Sequence, residues 1–302
     1  MSILNRPTDG LLSVLLALGR TLRAYGTMSE ERLQALCAPR SIVGDEKQST
    51  LQVHKTLNRW KQLGFFVIDG GVDHKVSLAP PFDELDLEDI EAIKPPLLEL
   101  VLRSANNPID GRDPDIESGD SSDFSLACAW TLQQDPYSFP TNWPGIQKLQ
   151  TDEAVTLPFF SNSTRWDGLV EWAPFLGLAR MDALLGLIPN PVHAVRAVVP
   201  TLFEGTSALP IQDCLAALAA LVPVLDHGVY WRAALARIGT PWLTLGSSDV
   251  SPCLSLALLQ LDRERRVQLD HRSDARVVYR LLGRGGRELR QVTHVALVEA
   301  RP

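Results

Sequence analysis

The residues best suited to chemistry in this 302-residue chain lie between Gln48 and Lys75. Val53, Leu57, Trp60 and Leu63 recur at helical spacing and form one apolar stripe. Opposite it the helix presents Gln48, Gln52, Lys55, Asn58 and Arg59, amides and cations of the kind that reach base edges and phosphates in a major groove. Lys55 and Arg59 stand four residues apart, about 6 Å along the helix axis. His74 and Lys75 follow on a hairpin, where contacts go to the phosphate backbone. Leu51 projects on the same outer face, where it could meet a thymine methyl or a protein. A plain solvated helix face would carry the same residue types. A second basic set follows Leu261: Arg272, Arg276, Arg284, Arg287 and Arg290, with Arg265 and Arg280 among them. These arginines could track phosphates, or they could dock onto an acidic segment of this chain or of a partner.

Enzymatic chemistry leaves few traces. Gly283-Arg284-Gly285-Gly286 joins two strand-like runs and opens no helix, so it is no phosphate loop. GxSxG and HExxH are absent, and so is paired His/Cys metal spacing. The 6 histidines are scattered. Asp226-His227 and Asp270-His271 are the adjacent acid–histidine pairs, and neighbours in sequence seldom supply a base and its orienting group. The expectation is a non-catalytic protein without metal or cofactor. Six of the tryptophans, at 130, 143, 166, 172, 231 and 242, read as core rather than as base-stacking platforms. Cys37, Cys128, Cys214 and Cys253 lie far apart in apolar helical contexts and read as buried thiols of a cytoplasmic protein.

The elements that position Gln48–Lys75 form a recognisable order. Leu11, Leu12, Leu15, Leu16, Leu18 and Leu22 give a first helix between Asp9 and Tyr25. Thr27-Met28-Ser29-Glu30 fits a capping box for a second, with Leu33, Leu36 and Cys37 facing in and Pro39 closing it. Gly64 ends the third helix. Two strand-like runs, Phe65–Asp69 and His74–Leu78, flank a tip with Gly70-Gly71. Helix, helix, helix, hairpin is the order of a winged helix-turn-helix. A helix-to-hairpin pattern returns at 162–203, and again at 251–300 behind Ser251-Pro252, with strand candidates RRVQLDH, ARVVYRLL and RQVTHVALV. The fold expected is mainly α with small β-hairpins, an α+β protein of serial winged-helix modules.

Four segments follow from this: a winged helix over 1–81, a helical linker region over 82–158, a middle helical, winged-helix-like domain over 159–240 and a C-terminal module over 241–302. The linker holds a helix over 83–104 that Pro95-Pro96 should break, then a polar, acidic loop over 104–123. Net charge is −7 overall but unevenly placed. Residues 1–80 carry +3, 83–135 carry −11 and 262–302 carry +4, so overall charge neither demands nor excludes nucleic acid. The leucine run at 11–18 is too short to cross a bilayer, and no membrane partner is expected.

MSILNRPTDGLLSVL, RWDGLVEWAPFLGL, LIPNPVHAVRAVVPTLF and PVLDHGVYW together resemble the bacterial DpdG family. The Dpd gene clusters insert 7-deazaguanine derivatives into DNA and restrict unmodified DNA. The resemblance implies an accessory protein of a phage-defence system, encoded beside a modification enzyme and helicase-like partners, and it brings no catalytic motif. The reading is a subunit that binds double-stranded DNA and other subunits of such a system. A winged-helix transcriptional regulator and a protein-only adaptor are the alternatives.

Overall fold

The computed structural model describes residues 3–4, 11–39, 47–69, 75–108, 121–273 and 275–298, with backbone alone at 47–50. They divide into two compact units, 1–124 with 164–172, and 125–163 with 173–302. The first unit extends well past Pro81 and takes in a stretch from the middle of the chain. The boundaries fall within helices, so composition shifts could not mark them.

In the first unit α1 (Leu12–Tyr25) leads to a two-residue strand β1 (Met28–Ser29), then α2 (Glu30–Cys37) and α3 (Lys47–Leu63). The antiparallel strands β2 (Phe66–Ile68) and β3 (Lys75–Leu78) follow. The sheet order is β1-β3-β2, with Met28 opposite Val76. The helical cap at α2 is Ser29, whose hydroxyl accepts from Arg32 N at 3.3 Å, not Thr27 as expected. Met28 is drawn into the sheet instead, which leaves the next polar residue to cap.

α3 buries Val53, Leu57, Trp60 and Leu63, and its last turn is closed by Gly64 at φ +94°. Phe65 N reaches back to Trp60 O at 2.8 Å and Gly64 N to Lys61 O at 3.1 Å, the paired bonds of a Schellman ending that needs a left-handed residue. This turn brings Phe65 against Trp60, their ring centroids 5.9 Å apart, and Phe65 against Phe82 at 4.3 Å. Trp172 covers Trp60 at 5.2 Å. Gly19 of α1 lets Leu87 come close, since a Cβ there would lie 3.1 Å from Leu87 Cδ1.

The linker helix, α4 (Ile90–Leu102), starts later than expected, capped by Asp89, and is not broken at Pro95-Pro96. Both prolines fall in its second turn, and residues 83–89 form turns. A helix that starts at Ile90 loses only two backbone bonds to the pair. Asn106 Nδ2 donates to Leu63 O at 2.9 Å and Leu100 O at 2.8 Å, tying the ends of α3 and α4 together. Asn107 and Ser121 both donate to Val101 O, so the two sides of the acidic loop are pinned to one carbonyl. Residues 109–120 of that loop lie outside the described residues.

α5 (Ser122–Leu132), α6 (Trp143–Asp152) and α7 (Ser163–Phe175) follow. In the second unit Trp130 stacks on Phe159 at 5.3 Å and donates its indole N–H to Glu153 at 2.7 Å. α7 ends at Gly177 (φ +77°), with Leu178 N on Ala173 O at 2.9 Å, and runs into the hairpin β4 (Ala179–Asp182) and β5 (Gly186–Pro189). The helix-to-hairpin step expected at 162–190 is present.

The rest repeats the first unit's order with two insertions. α8 (Val192–Leu202), β6 (Ala208–Pro210) and α9 (Ile211–Leu221) correspond to α1, β1 and α2. An insertion carries α10 (Val229–Leu235) and β7 (Asp249–Val250) before α11 (Pro252–Arg263) and β8 (Val267–Asp270). A second insertion, β9 (Tyr279–Leu282) and β10 (Glu288–Val292), precedes β11 (His294–Leu297). The sheet order β6-β11-β8 matches β1-β3-β2. Leu254, Leu258 and Leu261 stand where Val53, Leu57 and Trp60 stand, all buried. Arg266 N meets Leu261 O at 2.9 Å, and Arg265 takes the left-handed position at φ +55°.

RQVTHVALV, read as one strand, is two. Val292 and Thr293 are both buried, which breaks the alternation a single strand requires. β10 pairs with β9, while β11 pairs with β8 and β6. The strands beside Gly283–Gly286 are therefore an inserted hairpin, not the wing that follows α11.

Trp172→Ala should lower the unfolding free energy by about 3–5 kcal/mol by uncovering Trp60. A urea midpoint unchanged from the wild type would remove 164–172 from the first unit's core.

Candidate nucleic-acid interface

The buried arc of α3 is wider than its apolar stripe. Thr56 and Arg59, three residues apart, are 0% and 2% exposed. Arg59 therefore does not share an outer face with Lys55, a correction to the sequence reading. Its guanidinium instead acts electrostatically on the buried carboxylate of Asp123. Thr56 and Arg59 are polar by type, so a pattern of apolar residues alone places that side of the helix in solvent.

The outer arc consists of exposed Leu51, His54 and Gln62 with half-buried Gln52, Lys55, Asn58 and Lys61. Asn58 Nδ2 lies 2.9 Å from His54 Nε2, and Lys61 Nζ lies 3.2 Å from Asn58 Oδ1 and 2.6 Å from Glu30 of α2. These contacts fix the polar ends of the arc before any ligand arrives. Lys75 is exposed at the start of β3, its carbonyl accepting from Asp69 N at 2.9 Å. The Gln48 side chain and all of His74 lie outside the described residues. His54 is a member of this arc that sequence reasoning passed over, although its spacing of four from Asn58 marks it as a neighbour on the helix.

The C-terminal arginines separate into two kinds. Arg272, Arg276, Arg284 and Arg287 are exposed. Arg290 is half-buried and committed to the fold, with Nη1 2.7 Å from Asp262 of α11 and Nη2 on Leu269 O. Arg280 is likewise paired with Asp249 at 2.7 Å. Gly285 N, in the turn that carries Arg284, donates to Asp135 at 2.9 Å.

Neither acid–histidine pair forms a base with its orienter. Both Asp226 oxygens accept from Ser251, its N at 2.7 Å and Oγ at 2.6 Å, which anchors the start of α11. Asp270 accepts from Gln268 at 2.8 Å. Burial pushes the Asp226, Glu153 and Glu171 carboxyls upward and raises the Cys214 thiol to about 12. Among the described residues no three of His, Cys, Asp and Glu gather as a metal ion would require, and no helix is long and apolar enough to cross a membrane.

A sequence profile of the DpdG-like family matches residues 1–275. The chain belongs to the DpdG-like family. The matched span includes α1 to β8 and so both copies of the repeated helical order. The motifs that carried the resemblance fall within it: RWDGLVEWAPFLGL is α7 and its turn, LIPNPVHAVRAVVPTLF is β5 and α8, and PVLDHGVYW is the turn into α10. No curated protein and no solved structure matches the chain.

Asp123 is fully buried, and desolvation raises its pKa to about 6 from the ordinary 3.8 despite the opposing charges of Arg165 and Arg59. The folded chain thus holds this proton more tightly than the unfolded chain does. The group favours the fold below its ordinary pKa, and that advantage is lost as pH rises through about 6. Urea midpoints of wild type and Asp123→Asn across that window should show a wild-type advantage at the acid end that shrinks towards neutral pH. A difference independent of pH would place the titration elsewhere.

Proposed function

We propose that this DpdG-like protein is a non-catalytic, cytoplasmic accessory subunit of a DNA-modification and restriction system that defends bacteria against phage. In this reading it holds double-stranded DNA against the other subunits. The observation that carries it is the first unit's element order: three helices, a short strand between the first two, and a hairpin completing a β1-β3-β2 antiparallel sheet. That is the order of a winged helix-turn-helix, in which α3 enters the major groove. The polar outer arc of α3, with Lys55, Asn58, Gln52 and His54, supplies donors and acceptors for base edges and phosphates. Exposed Lys75 stands at the base of the wing.

The repeat of the same order in α8–β11 supports a second module of this kind, with Arg272, Arg276, Arg284 and Arg287 on its inserted segments. Arg290 is left out because Asp262 already holds it. Gln48 and His74 remain part of the proposal by sequence position. A protein-only adaptor is the second reading. Leu51 at 47% exposure and Leu184 at 93%, on the β4–β5 tip, favour it, since neither needs a charged ligand.

DNA affinity measured across a salt series separates the two. The wild type should lose affinity steeply with salt. Lys55→Glu should bind more weakly, with a slope shallower by about one unit. Replacing Arg272, Arg276, Arg284 and Arg287 with Gln should make the slope shallower by about one unit for each of these arginines that meets a phosphate. An absence of binding by the wild type at low salt would leave the adaptor.

A further inference from the structure

Asn58 stands midway along the outer ridge of α3, with exposed His54 one turn before it and exposed Gln62 one turn after. Its side-chain amide is held at both ends. Lys61 Nζ lies 3.2 Å from Asn58 Oδ1, and Asn58 Nδ2 lies 2.9 Å from His54 Nε2. An ammonium carries donors alone, so Lys61 can face only the amide oxygen, and the direction of the amide is thereby set. The amide nitrogen then donates to His54 Nε2, which places the imidazole proton on Nδ1. Lys61 is itself half-buried and anchored to Glu30 of α2 at 2.6 Å. The series Glu30, Lys61, Asn58, His54 ties one surface amide of α3 to the neighbouring helix.

These bonds use half of what the amide offers. Oδ1 has two lone pairs and Nδ2 two hydrogens, and Lys61 and His54 take one of each. His54 lies towards the start of α3 and Lys61 towards its end, so they draw on opposite corners of the amide. The edge between oxygen and nitrogen retains one acceptor beside one donor. A free amide could offer that pair in either order and would lose rotamer freedom on binding. This one is held in a single order in advance.

In the major groove adenine alone presents the complementary pair, a donor at N6 beside an acceptor at N7. Guanine would set its O6 against Asn58 Oδ1. Cytosine offers a donor without the acceptor, and thymine an acceptor without the donor.

We propose that Asn58 reads an adenine through N6 and N7 together, with Lys61 and His54 as positioning residues that fix its amide. The inference rests on the DNA reading above and goes beyond it by naming the base.

Selection of duplexes from a randomised pool by the full-length chain, at low salt, should enrich one position in adenine. Asn58→Ala keeps a good helix former in α3 and should lose the enrichment at that position alone. At the same position 2-aminopurine still pairs with thymine but carries no N6 donor. Substituting it for adenine should weaken wild-type binding about five- to tenfold, the loss of one of the two bonds, and should leave Asn58→Ala unaffected. Lys61→Met, which frees the amide to turn over, should bring the ratio between the two duplexes closer to one. A uniform loss of phosphate contact cancels in that ratio. Circular dichroism melting checks that each variant is folded. Adenine enrichment that survives in Asn58→Ala, or equal wild-type binding of the adenine and 2-aminopurine duplexes, would overturn the inference and leave the DNA reading standing. No duplex binding by the wild type at low salt would overturn both. A ratio unchanged in Lys61→Met would strike out its positioning role.

Discussion

The burial of Trp60 is the contact on which the rest of the first unit depends. Its ring lies between Phe65, which follows the helix end, and Trp172, which comes from a distant part of the chain. This arrangement works only because Gly64 turns the chain left-handed and sends Phe65 back over the last turn of α3. Once Trp60 is held there, the rotation of α3 about its axis is set. Thr56 and Arg59 go inward, and Leu51, His54, Lys55, Asn58 and Gln62 make the surface. The identity of the side chains offered to a ligand follows from the packing of one indole.

The same helix ending occurs four times among the described residues, at Gly64, Ala154, Gly177 and Arg265. At Ala154 and Arg265 a non-glycine residue accepts a conformation that costs about 1–2 kcal/mol, and the backbone bonds from Val155 N to Gln150 O and from Arg266 N to Leu261 O persist. At Arg265 the turn leads the chain into β8 of the sheet β6-β11-β8. The two insertions leave this sheet intact. One contributes β7 and α10, and the other contributes β9 and β10, which form their own sheet with β7.

The helices were legible because their stripes are apolar and their ends are marked by Gly64, Gly177 and the cap Ser251. Family membership was legible from motifs that fall on turns and helix starts. The outer arc of α3 was only partly legible. Arg59 is buried within electrostatic reach of Asp123, a carboxylate 64 residues away, and no local pattern encodes that proximity. The division at Thr293 was hidden because that one residue alone separates β10 from β11, with no Gly, Pro or Asn to mark a turn. Only two successive buried residues reveal that the chain changes sheets there. The short strands β1 and β6, two and three residues long, have no periodicity to read. They exist because a third strand needs a partner.

The central claim is that the outer arc of α3 meets duplex DNA while its inner arc, including Arg59, stays within the protein. Titrating isotope-labelled full-length protein with a DNA duplex and following its backbone and side-chain NMR signals tests this most directly. The account predicts shifts concentrated at Leu51, His54, Lys55, Asn58 and Gln62, with the Asn58 side-chain amide among the largest and the Arg59 side chain unmoved. Binding that leaves these signals in place, or that shifts Arg59 ahead of Lys55, would contradict it.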